Sequence, residues 1–408
     1  MKRPINIAFI HPDLGIGGAE RLVVDAAVHL RTAGHRVVLF TAHHDRARCF
    51  EETKDGRVDV RVCGQFIPLH LGQRLRVPCA IARMHYLAGR VAMSRDRFDI
   101  IFCDLVPHAI AALRLLTGAK IIFYCHFPDR LLAPQRGGWY RWYRAPIDLL
   151  EEVATGMAHR VVVNSKFTAA AFRRAFPRLR DCPLEVIYPG VDVTDYDHGD
   201  ALTSRIGEKI SIMSIARYER SKNVRLAVEA VALLRAHLSS EAFDRIQLIV
   251  AGGFDERLAE HRETIAELQA LTRQQGLEAQ VLFLRSVSEQ ELRARLATCL
   301  CVVHTAPQEH FGYVPLEAMA AGCPVVAANC GGPAETVVEG ATGFLRPPTP
   351  QAFAEALARL ITDPEATSKM GRAACAHVHA RFSRQALGKK LERLLEEELA
   401  NGDGGQCR

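Results

Sequence analysis

The sequence predicts an α/β protein of two domains, each a parallel sheet with helices between its strands. Short apolar runs such as Ile5 to Ile10, Ile210 to Ala216 and Val325 to Ala328 recur along the chain, and helical patterns separate them. The 408 residues suffice for two full cores. Residues 304–336, HTAPQEHFGYVPLEAMAAGCPVVAANCGGPAET, read as a strand–loop–helix–strand unit. Its loop lies at the carboxyl end of a strand, where open α/β sheets bind ligands.

The first domain opens with the strand Ile5 to Ile10, which ends at His11. The turn Asp13-Leu-Gly-Ile-Gly-Gly-Ala-Glu20 follows, then a helix with Leu22, Val23, Ala26, Ala27 and Leu30 on one face and a second strand over 36–41. This is not the dinucleotide fingerprint, because Glu20 stands at the third glycine position and no acidic residue closes the second strand. Gly15, Gly17 and Gly18 suit a backbone approach to phosphate, and a tight strand-to-helix turn equally well. Strands are expected at 58–63, 99–103, 119–124, 161–163 and 184–187, with helices at about 77–95 and 107–117.

His126 stands just past a strand end, a ligand-binding position that a hydrogen-bonded loop histidine also occupies. Residues 130–147 hold both tryptophans, Trp139 and Trp142, among Arg130, Arg136, Arg141 and Arg144. Amphipathic aromatics with arginine suit a headgroup interface, so Trp139, Trp142, Arg136 and Arg141 are candidate membrane contacts. The competing reading packs those aromatics into the domain.

Residues 188–205 read as an irregular interdomain linker, so the first domain is expected over 1–205 and the second over 206–380. Asp195-Tyr-Asp197 matches a D-x-D metal motif but sits in that linker, and no metal site is assigned. The second domain opens with the strand 210–216, the loop Arg217-Tyr-Glu-Arg-Ser-Lys222-Asn and a helix over 223–238. Arg217 and Lys222 place two cations where a diphosphate binds, although solvated cations have the same spacing. Strands follow at 246–251, 280–284 and 300–305. Residues 381–408 are expected to return to the first domain as a helix and end disordered from Gly402.

Within 304–336, Gly312 and Pro315 end a loop and open a helix, and Gly322 stops it. The backbone N–H groups of Phe311, Gly312 and the next two residues, with the helix N-terminus, attract an anion such as a diphosphate. Glu317 reaches a diol such as a ribose, and Glu309 faces what the phosphate carries. Two capping, solvated glutamates fit that spacing too.

Composition bounds the remaining choices. A net charge of +6 is too small to imply nucleic acid without a concentrated patch. The twelve scattered cysteines form no C-x-x-C and read as reduced buried thiols of a cytosolic protein. The N-terminus MKRPINIAFIHPD leaves no room for a secretory signal, no N-x-S/T sequon occurs, and no apolar run spans a bilayer. Work at a membrane would take place on its surface.

E-H-F-G-x-x-x-L-E-A-M, G-x-P-V-V-A and G-G-P-x-E in this order resemble the retaining nucleotide-sugar glycosyltransferases of the GT-B fold. That fold is α/β, with two Rossmann-like domains facing each other across a cleft. With HPDLGIGGAERLVVDAA, FYCHFPD, YRAPIDLLEE, NSKFTAAAF and RYERSKN, the likeness extends over nearly the whole chain, to the dolichol-pathway α-1,3/1,6-mannosyltransferases. Some members of that family carry hydrophobic terminal segments that this chain lacks.

The resemblance implies GDP-mannose as donor, with Glu309 on the sugar and Glu317 on the ribose. It places His126 and His310 along the sugar, and Asp13, Gly17 and Gly18 toward the acceptor. The implied acceptor is a mannosyl-chitobiosyl-diphospho-dolichol on the cytosolic face of the endoplasmic reticulum, or of the cytoplasmic membrane in a prokaryote. Other transferases of the pathway are the implied protein partners. Two further readings fit: a GT-B transferase for another lipid or polysaccharide acceptor, and a non-catalytic nucleotide-sugar-binding subunit.

Overall fold

The structure is a computed structural model that describes residues 3–70, 75–133, 137–196 and 208–400. The chain divides into two compact units, Met1–Gly190 with Arg384–Arg408, and Val191–Ser383. The first boundary therefore falls at 190/191 rather than 205/206, and the second at 383/384 rather than 380/381. Backbone pairing explains the shift: the Val191 N–H donates to the Phe382 carbonyl at 2.8 Å, tying the start of the second unit to its last helix. Asp197, the rest of the expected linker to residue 207, and the tail from Asn401 lie outside the described residues.

The first unit is a seven-stranded sheet of order β3-β2-β1-β4-β5-β6-β7. Its strands are β1 (Asn6–His11), β2 (Arg36–Thr41), β3 (Asp59–Val62), β4 (Ile100–Asp104), β5 (Lys120–Cys125), β6 (Arg160–Val163) and β7 (Leu184–Val186). All pairings are parallel. Near-continuous Val, Ile and Phe runs are what a sheet covered on both faces requires. The connecting helices are α1 (Gly18–Thr32), α2 (Arg76–Ala92), α3 (Ile110–Leu116), α4 (Asp129–Leu132), α5 (Trp139–Gly156) and α6 (Lys166–Ala175).

The second unit repeats the plan in six parallel strands, β8 (Ile210–Ile215), β9 (Ile246–Gly252), β10 (Val281–Arg285), β11 (Cys301–His304), β12 (Val325–Ala328) and β13 (Gly343–Arg346). Their order is β10-β9-β8-β11-β12-β13. Its helices are α7 (Arg225–Leu233), α8 (Ser240–Asp244), α9 (Ala259–Gln274), α10 (Glu289–Thr298), α11 (Tyr313–Ala320), α12 (Pro333–Thr336), α13 (Pro350–Thr362) and α14 (Pro364–Arg381).

The last helix, α15 (Arg384–Ala400), packs on the first unit. Its Leu387, Leu391, Leu394 and Leu395 are buried among Leu22, Val23, Ala26 and Phe9. Each such leucine contributes about 1.5–3 kcal/mol of transfer free energy. Glu392 pairs with His29 at 2.7 Å, and Glu398 with Arg160 at 2.7 Å.

In each sheet the strand order reverses once, between β1 and β4 and between β8 and β11. Neighbouring loops diverge at such a point and leave a crevice outside the carboxyl ends of the strands.

Candidate active site

In the second unit the reversal collects the residues singled out after β8 and β11. Lys222 ends the short 3-10 turn Arg220–Lys222, and Asn223 follows in the left-handed region (φ 49°). Thr305 Oγ1 donates to the Lys222 carbonyl at 2.8 Å, joining the two loops. Lys222 Nζ donates to Glu309 Oε2 at 2.8 Å. Burial alone would raise the Glu309 carboxyl, but Lys222, with smaller help from His304 and His310, outweighs it and holds that carboxyl below its ordinary range. The sequence reading gave Lys222 to a diphosphate and Glu309 to a sugar, and here they form one ion pair. Arg217 is likewise engaged, with Glu219 at 2.8 Å, on an exposed side chain.

The glycine pair that follows β12 acts directly on this loop. The Gly332 N–H donates to the Glu309 carbonyl at 2.8 Å. A Cβ on Gly331 would overlap the Glu309 carbonyl oxygen, and one on Gly332 would overlap Phe311. The G-G-P segment is thus a brace for the E-H-F-G loop as well as the entry to α12.

Gly312 caps α11 at φ 90°, and Gly322 follows the helix at φ 71°. The helix begins at Tyr313, two residues before the expected Pro315 start, so Glu317 is its fifth residue rather than in its first turn. Burial pushes the half-buried Glu317 carboxyl up to about 7; Glu289 adds to the shift and Arg293 opposes it. Phe311 is buried and stacks edge-on to Tyr313 at 5.5 Å, so its side chain anchors the loop. His310 is half-buried and electrostatically coupled to Glu309.

Sequence reasoning missed His304, the last residue of β11, 3.9 Å from Glu309. Burial drives its imidazole down to about 4, so it is neutral near pH 7. The signal that pointed to His126, a histidine at the end of an apolar strand, was present here too.

The first unit's reversal holds a second cluster. His11 ends β1, Asp104 ends β4, and His126 follows β5. His11 Nδ1 lies 2.7 Å from Asp104 Oδ2, and His126 Nε2 lies 2.8 Å from Asp104 Oδ1. Glu20 stands 3.8 Å from His11 Nε2. Of these only His126 was singled out from the sequence. His11 and Asp104 carried the same signal, a polar side chain closing an apolar strand. Asp13 pairs with His43 at 3.0 Å, Gly17 caps α1, and Gly18 is its first residue.

Arg136 lies outside the described residues, and Trp139 opens α5. Trp142 is 84% exposed, so the reading that packs the aromatics inward fails for this ring. Arg141 is exposed beside it. Among the described residues no helix is long and apolar enough to cross a membrane, and no three His, Cys, Asp or Glu side chains are grouped as metal ligands.

Residues 203–377 match the family model for glycosyl transferases group 1, and residues 16–195 that for glycosyltransferase family 4. The alpha-1,3/1,6-mannosyltransferase ALG2 of Homo sapiens is 44% identical over 97% of this chain and 96% of its own length. The chain belongs to the α-1,3/1,6-mannosyltransferase family. The Saccharomyces cerevisiae ALG2 is 37% identical over 97% of this chain and 85% of its own.

Solved structures confirm the GT-B fold of this mannosyltransferase. Sucrose-phosphate synthase from Thermosynechococcus elongatus superposes with a TM-score of 0.78 at 22% identity, over 98% of this chain and 100% of that one. Anabaena HepE in complex with UDP gives 0.72 at 23% identity, over 96% of this chain and 100% of that one.

Proposed function

We propose that this mannosyltransferase moves mannose from GDP-mannose to a mannosyl-chitobiosyl-diphospho-dolichol, first through an α-1,3 and then an α-1,6 linkage, with retention at the anomeric carbon. The supporting observation is the Lys222–Glu309 ion pair at the sheet reversal, beside the N-terminus of α11 and Glu317. On donor binding, the ammonium of Lys222 and the loop amides of residues 311–314 take up the charge of the departing diphosphate. Arg217 adds a second cation, Glu317 accepts from the ribose diol, and Glu309 with His310 orients the mannose. In the first unit, the family resemblance assigns His126 to the sugar and Asp13, Gly17 and Gly18 to the acceptor.

Double displacement requires a second carboxylate close to the first. The groups acting most on Glu309 are cationic or histidine side chains: Lys222, His304 and His310. Its negative charge is committed to Lys222, which weakens it as a nucleophile. Front-face displacement fits better, with the acceptor hydroxyl attacking and its proton leaving with the GDP. The charge stabilisers named here need no metal, so turnover should persist in excess EDTA; loss restored by magnesium or manganese would overturn that part.

The lipid acceptor requires attachment to the cytosolic face of the endoplasmic reticulum membrane, and α5 supports a peripheral one. Trp142, Leu149, Leu150 and Val153 recur along one side of it and are exposed. Its carboxylates are used elsewhere: Asp148 pairs with Arg144, Glu151 accepts from the Asp129 and Arg130 N–H groups, and Glu152 from that of Arg178. The exposed side thus offers apolar groups and Arg141 without a competing acid.

The decisive assay incubates the enzyme and a mannosyl-chitobiosyl diphospho-lipid with GDP-mannose, UDP-glucose or buffer. Addition of hexose from GDP-mannose alone, in linkages cleaved by α-mannosidase, is expected. Transfer from UDP-glucose, or no transfer to this acceptor, would overturn the reading.

A further inference from the structure

The mannosyl-transfer reading uses His126 and leaves unexplained the buried groups behind it. Asp104 is buried at the sheet reversal, with one imidazole on each carboxylate oxygen. An ionised carboxylate only accepts hydrogen bonds, so both nitrogens facing it carry protons, Nδ1 of His11 and Nε2 of His126. His11 is fully buried, and its Nε2 has no hydrogen-bond partner among the described residues.

Glu20 brings a second carboxylate to that far nitrogen, at ion-pair distance. Its side chain folds back over the start of α1, where a Cβ on Gly17 would overlap its carboxylate. Gly17 is extended (φ −168°), so space rather than backbone conformation demands glycine there. Two carboxylates around one buried imidazole favour its cation, and His126 together with His11 holds the Asp104 carboxyl down against its burial.

The arrangement is a chain, Glu20–His11–Asp104–His126. Its interior pair is sealed, and its ends are partly open, with Glu20 22% and His126 15% exposed. We infer that Asp104, held on its other oxygen by His11, is a positioning residue for transfer: it fixes His126 in the tautomer that leaves Nδ1 free to accept from a sugar hydroxyl. His126 Nδ1 makes no hydrogen bond among the described residues, as this role requires. The inference rests on the reading that His126 serves the reacting sugar, and the tests separate the two.

In ring-15N-labelled enzyme, with His126 identified by the signals lost in His126→Gln, neutral His126 should carry its proton on Nε2. An Nδ1–H tautomer in the unmodified protein overturns the inference without any Asp104 variant having to fold. Asp104→Asn supplies one acceptor where two rings need one, so at least one imidazole must change tautomer or lose its bond. Its kcat should fall at least about a hundredfold with the donor KM within about threefold, the signature of a misoriented group rather than a lost binding contact. Near-normal turnover in His126→Gln would defeat the reading of His126 itself. A slow His126→Gln beside a folded Asp104→Asn of normal kcat would defeat the inference alone.

Discussion

Lys222 helps hold the Glu309 carboxyl below its ordinary range, so the loss of the ammonium alters the carboxylate. Lys222→Ala should cut turnover by about two to three orders of magnitude, typical of losing one preorganised charge stabiliser. Its position in a surface turn leaves the fold standing. Without the ammonium, the partly buried Glu309 carboxyl moves up, and the acid limb of the pH–rate profile should move up with it. Near-normal turnover, or an unmoved limb, would remove the pair from the mechanism.

His11 gives a stability prediction. Burial opposes its cation, but Asp104 and Glu20 outweigh that and raise its pKa from 6.5 to about 9. A raised base contributes stability that is complete below about 6.5 and lost as the pH climbs to about 9. At 1.36 kcal/mol per unit this is on the order of 3 kcal/mol. The lowered Asp104 and Glu20 carboxyls carry the acid side of the same interaction, which fades as the pH falls through their range. Thermal midpoints should therefore decline between pH 6.5 and 9 in the native protein and stay level in His11→Gln.

At the scale of elements, the brace between the segment before α12 and the 309–312 loop has little tolerance. Gly332→Ala must push the Phe311 backbone away. The expected result is a donor KM raised at least about tenfold, against a small change in unfolding midpoint, since the site loop moves and the sheet does not. An unchanged KM would show that the loop accommodates the methyl without cost.

Helix α15 is a different case, because it closes one face of the first unit's sheet with four buried leucines. Leu391→Ala should cost about 2–5 kcal/mol in denaturant unfolding. A loss below 1 kcal/mol would mean the helix is dispensable to that core.

For the molecule as a whole, no described helix is long and apolar enough to cross a bilayer, and the exposed side of α5 is the surface proposed above for membrane attachment. Changing Trp142, Leu149 and Leu150 to Ala and Arg141 to Gln removes the exposed apolar side of α5 and its cation. Binding to anionic liposomes should fall at least about tenfold, given the apolar transfer terms and near 1 kcal/mol per basic residue at the surface. Turnover on a short water-soluble acceptor should be largely kept. Equal loss of both activities would make this face part of the fold's own integrity, and unchanged flotation would place attachment elsewhere.

The sequence by itself determined the two parallel-sheet units, because apolar runs of strand length alternating with helical patterns are a local signal. It also determined where to look in the second unit: Glu309, Gly312 and Glu317 share one loop and helix, and their order is carried by covalent spacing. Tertiary structure alone decided which polar side chains meet. Lys222 and Glu309 are 87 residues apart, and His11 and Asp104 are 93 apart. Only the strand order places each pair side by side at a reversal, and nothing in the spacing of the chain encodes that order. The same holds for the carboxylates of α5, whose inward partners leave its outer side apolar. Burial then set the charge states, lowering His304 and raising Glu317 through a desolvation that exists only once the second unit's sheet is packed.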